Sequence, residues 1–244
     1  VRTVVVTCTN GELGDAPGGI KPGAPGHDED AVAQIRRTEL EAACRLLGVA
    51  HLELLGYRDS GMEDWDYKAR PDAFCNVPVE LAADRVGELF ERYRPEVVIT
   101  YDDSGFYNHP DHVHASRVTR AACEASGIPK KLYFTAIRRR SWERVRSALQ
   151  EQGVEMPPGP TITPEMVQRM ADLEAQITTS IDLGPFVERK LAALAAHASQ
   201  LEESFFTRLP LDTFASAFGH EDFIRAHDET GAAVPETDLF AGLR

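Results

Sequence analysis

Val97-Val98-Ile99-Thr100-Tyr101-Asp102 is followed a few residues later by Tyr107-Asn108-His109-Pro110-Asp111-His112-Val113-His114. The first stretch is a short β-branched apolar run, the pattern of a buried parallel strand. The second gathers three imidazoles and a carboxylate just past that strand's carboxyl end, where open α/β sheets place their active sites. Neutral imidazole is the commonest metal ligand and the usual acid or base near neutral pH. Pro110 fixes one backbone angle and helps aim its neighbours. A polar loop with Asp111 as N-cap of the following helix is the bland alternative. It accounts for one histidine better than for three and an aspartate.

Outward from this stretch the chain alternates strand and helix signals. Residues 2–8 read as a strand, 31–47 as a helix stopped by Gly48, 51–56 as a strand and 78–93 as a helix opened by Pro78. After the strand at 96–101 come a helix at about 112–126, ended by Gly127, and a strand at 131–137. This order predicts an α/β fold: a Rossmann-like, doubly wound, mainly parallel sheet with right-handed crossovers. Beyond Arg138 the pattern loosens. Residues 141–152 read as a helix, 157–164 as a Pro-rich connection, 173–182 as a strand and 185–200 as one helix. The last forty residues read as short helices and loops around Phe205, Phe206, Phe214, Phe218, Phe223 and Phe240. The expected organisation is a core at 1–140 carrying the metal and substrate loops, with a C-terminal extension at 141–244 packed on it.

The 244 residues suffice for a real core, and 43% hydrophobic content is ordinary for a globular protein. A net charge of −13 argues against nucleic acid or an anionic membrane as partner. No apolar run is long enough to span a bilayer. Cys8, Cys44, Cys75 and Cys123 are far apart without a CxxC pair, so they suit small buried residues in a reducing cytoplasm. Gly18-Gly19 lacks a Walker lysine, and no GxGxxG follows a strand, which excludes the usual nucleotide loops. A homo-oligomer stays open.

Other polar residues are weaker candidates. Asp15 lies in the loop after the first strand and suits sugar hydroxyls or a solvated turn. Arg36 and Glu39 read equally as an ordinary helical ion pair. Asp59 ends the second strand and should point into the same crevice as the histidines. His197, on an Ala-rich helix, reads as a surface or core histidine, and His27, His220 and His227 carry little weight.

Several segments together resemble a known family. Thr7-Cys8-Thr9-Asn10-Gly11-Glu12, the helix from Arg36 to Gly48, Arg58-Asp59-Ser60-Gly61-Met62, Thr100-Tyr101-Asp102 and Tyr107 through His114 are similar to the PIG-L/LmbE-like zinc N-deacetylases. His197-Ala198-Ser199-Gln200 and the segment from Glu236 to Leu243 resemble the branch with the mycothiol-pathway enzymes. The resemblance implies one catalytic zinc, or another divalent ion, and hydrolysis of an N-acetyl or related amide on a small glucosaminyl substrate, glucosaminyl-inositol or a mycothiol-type conjugate first. It implies His112 as zinc ligand, His109 facing the tetrahedral intermediate, Asp111 orienting His109, and Tyr107 as a mobile tyrosine polarising the carbonyl. Arg36, Asp59 and Asp15 would contact sugar and inositol. Zinc would polarise the carbonyl and make water more acidic.

In that family two further zinc ligands and a catalytic Asp lie in an Ala-His-Pro-Asp-Asp-Glu motif after the first strand. This sequence does not contain the motif and opens on what resembles the second strand. The reading that follows is an upstream extension of about thirty residues, one strand plus one helix, holding a His-Pro-Asp-Asp segment. The present sheet should then show a central gap. The alternative is a metal-free sugar-binding relic without activity.

Overall fold

The structure is a computed structural model that describes residues 1–151, 164–201, 204, 206 and 209–244. The N-terminal half follows the alternation read from sequence: β1 (Val4–Thr9), α1 (Glu29–Leu47), β2 (His51–Tyr57), α2 (Val79–Tyr93) and β3 (Val97–Thr100). A short helical turn, α3 (Gly105–Asn108), leads into α4 (Pro110–Ser126), and β4 (Lys131–Ala136) closes this half. Local chemistry sets the boundaries. Asp28 caps α1 by accepting from the Ala31 N–H, and Gly48, at φ 71°, ends it in a left-handed turn. Pro110 occupies the first turn of α4, where its missing N–H costs nothing.

The C-terminal half departs from the expectation. α5 (Arg139–Glu151) matches the helix read there, and most of the Pro-rich connection lies outside the described residues. Residues 173–182 split into the end of α6 (Pro164–Ala175) and β5 (Thr179–Asp182). The single helix expected at 185–200 is broken into a 3-10 turn, α7 (Val187–Ala195) and α8 (Ala198–Leu201). After α9 (Leu211–Phe218) comes β6 (His220–Asp228), a nine-residue strand where loops were expected. Its charged residues His220, Glu221, Asp222, Arg225, His227 and Asp228 hide the alternation that identifies a strand.

β1 and β2 pair in parallel, as do β3 and β4. β6 lies antiparallel between β4 and β5, so the second sheet runs β3-β4-β6-β5. No ladder joins β1 to β3 among the described residues. A cavity of ≈1530 Å³ runs between them, lined by Val4, Val6, Val98 and Ile99. Val6 is 37% exposed and Ile99 44%, values that mark this face as open rather than core. The expected gap in the sheet is therefore present.

One core lies between α2 and α4 and the adjoining strands, around Leu55, Phe74, Val86, Phe90 and Val118. A second joins α5, α7 and α9 through Val145, Leu149, Val187 and Phe214. Lys131 and Glu236 meet with no exposure at 2.6 Å. Tyr133, Thr179 and Arg225 also donate to that carboxylate, at 2.8, 2.8 and 3.0 Å. Burial raises the pKa of Glu236, but the hydrogen bonds from Lys131, Thr179 and Tyr133 outweigh it and hold the group ionised below its usual range.

Candidate active site

The carboxyl ends of β1, β2 and β3 all open onto one cleft, as the strand order requires. β3 delivers Tyr101 and buried Asp102. Asp102 accepts from Ser104 Oγ and the Phe106 N–H, which shapes the loop before α4. Gly105 sits at φ 58°, and a Cβ there would lie 2.6 Å from the Val113 backbone nitrogen. The loop can approach α4 only because this residue is glycine. Phe106 and Asn108, at φ 71° and 63°, hold left-handed conformations that L-residues seldom adopt. Conformations of this kind concentrate at functional sites.

His109, not Asp111, is the N-cap of α4: its Nδ1 accepts from the Asp111 N–H at 3.2 Å. His112 Nδ1 stands 3.2 Å from the Gly105 carbonyl. The imidazoles of His109 and His112 stack at 4.6 Å, and Tyr101 covers the other face of His112 at 4.0 Å. These bonds fix opposite tautomers. An Nδ1 that accepts an N–H leaves His109 with its proton on Nε2, a donor. An Nδ1 that faces a carbonyl must carry its proton, so His112 keeps a free lone pair on Nε2. Burial lowers both pKa values, and the His109 ring adds to the effect at His112, which falls to about 4.

His114, the third imidazole of the cluster, turns away. Two residues along a helix rotate a side chain by about 200°. His114 is buried with its ring 4.6 Å from Phe74 in the α2–α4 core, so it belongs to the packing.

Asp111 is buried, and its carboxylate accepts from the Ser60 N–H at 3.1 Å and from Ser60 Oγ. It meets His109 through its own backbone N–H. Burial pushes the Asp111 pKa up to about 7; the Ser60 bonds oppose this and neighbouring Asp59 adds to it. Ser60, fully buried, also accepts from the Cys75 N–H at 3.0 Å. Sequence reasoning gave Ser60 no role, since a lone serine carries no signal without its partner. Glu12 was likewise missed. It is buried, accepts from the Asp59 N–H at 3.1 Å, and so fixes the end of β2. Tyr107 stands 45% exposed at the rim, with its ring 5.8 Å from His109 and 5.3 Å from His112. Burial of its hydroxyl end and the charges of Asp59 and Asp111 raise its pKa, which keeps it a phenol.

Arg36 lines the cleft within reach of the charges of Glu39, Asp59 and Asp15, and burial lowers its pKa. It has no hydrogen bond or ion pair among the described residues. Glu39 does not pair with it; that buried carboxylate accepts from Ser199 N–H and Oγ at 2.6 and 2.9 Å. Asp15 stands outside the lining, its carboxylate 2.6 Å from Lys21 Nζ.

Asp59, His109 and Asp111 each present a donor atom within 4.8 Å of the others. Two carboxylates crowding one imidazole, one of them forced towards neutrality and neither in an ion pair among the described residues, form a site with surplus acceptor capacity. Carboxylate oxygens of this kind, next to the His112 ring with its free Nε2, are donor types that suit zinc or a similar divalent ion.

Residues 1–123 match the family model described as PIG-L, GlcNAc-PI de-N-acetylase. The 1D-myo-inositol 2-acetamido-2-deoxy-alpha-D-glucopyranoside deacetylase of Acidothermus cellulolyticus is 36% identical over 262 residues, covering 100% of this chain and 86% of that protein. The chain belongs to the PIG-L family. Within it, the mycothiol S-conjugate amidase of Streptomyces coelicolor is 30% identical over 267 residues, with 100% and 88% of the two chains covered. The N,N'-diacetylchitobiose deacetylase of Pyrococcus horikoshii shares the PIG-L fold at a TM-score of 0.52 and 19% identity, covering 92% of this chain and 73% of that one. No helix among the described residues is long and apolar enough to cross a membrane.

Proposed function

We propose that this PIG-L protein is a divalent-metal amidohydrolase, with zinc the favoured ion, that removes an N-acetyl or related acyl group from a small glucosaminyl substrate. Glucosaminyl-inositol ranks first and a mycothiol-type conjugate second. The observation that carries the reading is the contrast between the Nδ1 contacts of two stacked imidazoles in the cleft, a backbone N–H at His109 and a backbone carbonyl at His112. His112 donates Nδ1–H to a backbone carbonyl, the usual support of a metal-ligating histidine, and offers Nε2 to the ion. His109 presents Nε2–H, a donor for the oxygen on which negative charge develops during amide hydrolysis. When bound, the ion supplies Lewis acidity at the scissile carbonyl.

The residues present would supply positioning and charge stabilisation. Asp111, clamped by Ser60, anchors the first turn of α4 and hence the His109 ring. Tyr107, a phenol at the rim, closes over the amide and donates to the same oxygen. The amine must leave neutral, so the proton given up by the attacking water has to reach its nitrogen; a carboxylate beside His109 can carry it, while His109 stays neutral with its Nε2–H on the oxygen. Arg36 and Asp59 hold the sugar hydroxyls, with Asp15 at the edge. The reading predicts a protein that works in the cytoplasm. The Asp59–His109–Asp111 proximity favours a second arrangement in which His109 itself binds the ion; metal content of single variants separates the two.

The test uses protein purified from its own host. Stoichiometric zinc, release of free amine from N-acetylglucosaminyl-inositol, and loss of that activity on chelation are expected. Protein that holds no divalent ion and releases no amine would establish the sugar-binding relic instead.

A further inference from the structure

The segment His197-Ala198-Ser199-Gln200 comes from the far end of the chain, yet it is built into the wall of the cleft. Ser199 is buried against Glu39 of α1 through two hydrogen bonds of 2.6 and 2.9 Å. The Gln200 amide locks onto the backbone of Asp15, accepting from its N–H at 3.2 Å and donating to its carbonyl at 2.9 Å. Gly14 leaves room for this contact, since a Cβ there would meet Gln200 Oε1 at 2.7 Å. The turn between α7 and α8 is therefore held rigidly on both α1 and the loop after β1, and rigid support is what a recognition residue needs.

His197 is the residue this turn presents to the cavity. It is half-buried and, like Arg36 beside it, its side chain has no hydrogen-bond partner among the described residues. Burial and the charge of Arg36 keep the imidazole neutral, so it offers one donor and one acceptor. The cleft has two walls: α4 carries the imidazole pair, and α1 with the turn before α8 carries Arg36 and His197. His197 is two residues from Ser199, which Glu39 holds, and Glu39 is one turn of α1 from Arg36, so His197 belongs to the α1 wall and not to the α4 wall that carries the imidazole pair.

We infer that His197 is a specificity-determining residue: it reads the hydroxyl groups of whatever is joined to the glucosamine unit, on the side remote from the scissile amide. This rests on the function proposed above. Arg36 can only donate and the carboxylates can only accept. A neutral imidazole does both, which suits adjacent hydroxyls of a cyclic polyol. A purely apolar aglycone would cover two half-buried polar groups, Arg36 and His197, without giving them partners, and that is how a polar pocket rejects the wrong ligand.

The experiment measures equilibrium binding of N-acetylglucosamine and of its α-glycoside with myo-inositol to the wild-type protein, His197→Ala and His197→Gln, with melting curves for all three. The wild type should prefer the glycoside. His197→Ala should reduce the ratio of the two affinities about fivefold to tenfold, the worth of one or two neutral hydrogen bonds. His197→Gln, which keeps a donor and an acceptor, should recover much of the ratio. An unchanged ratio in His197→Ala overturns the inference, and so does an equal weakening of both ligands, which marks a structural role. A wild type that binds the monosaccharide with no gain from the cyclitol overturns the inference alone. A wild type that binds neither sugar overturns the proposed function and the inference with it.

Discussion

At the scale of single residues, His109 and His112 have the same side chain three positions apart and differ only in what their Nδ1 atoms touch. If the tautomers assign the roles, the two alanine variants should separate. His112→Ala should lose the divalent ion on dialysis, because the imidazole with the free Nε2 is gone. His109→Ala should retain it while turnover falls about a hundredfold, as for a lost donor at the developing charge. Metal analysis beside initial rates checks this; loss of metal from His109→Ala would favour His109 as ligand. Asp111 gives a pH signature. Its folded pKa of about 7 lies above the ordinary carboxylate value. Between those two values the folded state binds a proton that the unfolded chain releases, so this group's contribution to stability falls as pH rises towards 7 and is level beyond. In metal-free protein, Asp111→Asn should therefore melt higher relative to the wild type at pH 8 than at pH 4. A variant-to-wild-type difference that is the same at both pH values would show that Asp111 is not raised.

At the scale of elements, the site depends on the approach of the turn at 105–108 to the start of α4. Gly105→Ala places a methyl group 2.6 Å from a backbone nitrogen at a positive φ. Neither the helix nor Asp102, which holds the other side of the turn, can move without losing hydrogen bonds. The variant should lose roughly 2 kcal/mol or more of stability, since strain and overpacking act together. Turnover should fall further than stability alone explains, because Tyr107 and His109 ride on this turn. Denaturant titration together with rates at a temperature where the variant remains folded tests the point; normal turnover would show that the turn can shift without moving the site.

At the scale of the whole molecule, the C-terminal segment is stitched to the sheet by one buried carboxylate. Glu236 accepts from Lys131 and Tyr133 on β4, Thr179 on β5 and Arg225 on β6. Removing it takes the nearest carboxylate from two cations, one of them with no exposure, and leaves them only Asp228, at 3.9 Å from Lys131 and 3.3 Å from Arg225. Glu236→Ala should cost about 3–5 kcal/mol, the usual effect of breaking a buried pair from one side. A lowered denaturation midpoint with an unchanged slope is the expected record. A midpoint within experimental error of the wild type would mean the network is hydrated.

The sequence by itself determined the N-terminal half, the cleft and the family. The strands at β1 to β4 are short apolar runs between glycine and proline signals, and a sheet of parallel strands puts its polar loops at one end whatever the details. Val97–Thr100 followed by the histidines therefore pointed to the cleft, and Asp59 and Arg36, which end or flank neighbouring elements, line the same cleft. Tertiary structure decided what depends on distant partners. β6 carries charges that are met by partners distant in sequence, Lys131, Arg138, Lys190 and Glu236, and it lies between β4 and β5, so local pattern reads it as loop. Ser60 and Glu12 matter through residues some fifty positions away in the chain. His114 and His197 lie where the sequence did not put them for the same reason. Adjacency to the motif suggested function for His114, but helix rotation sends it to the core. His197 has an unremarkable alanine-rich neighbourhood, but the Ser199–Glu39 and Gln200–Asp15 contacts carry it 160 residues back along the chain to the cleft.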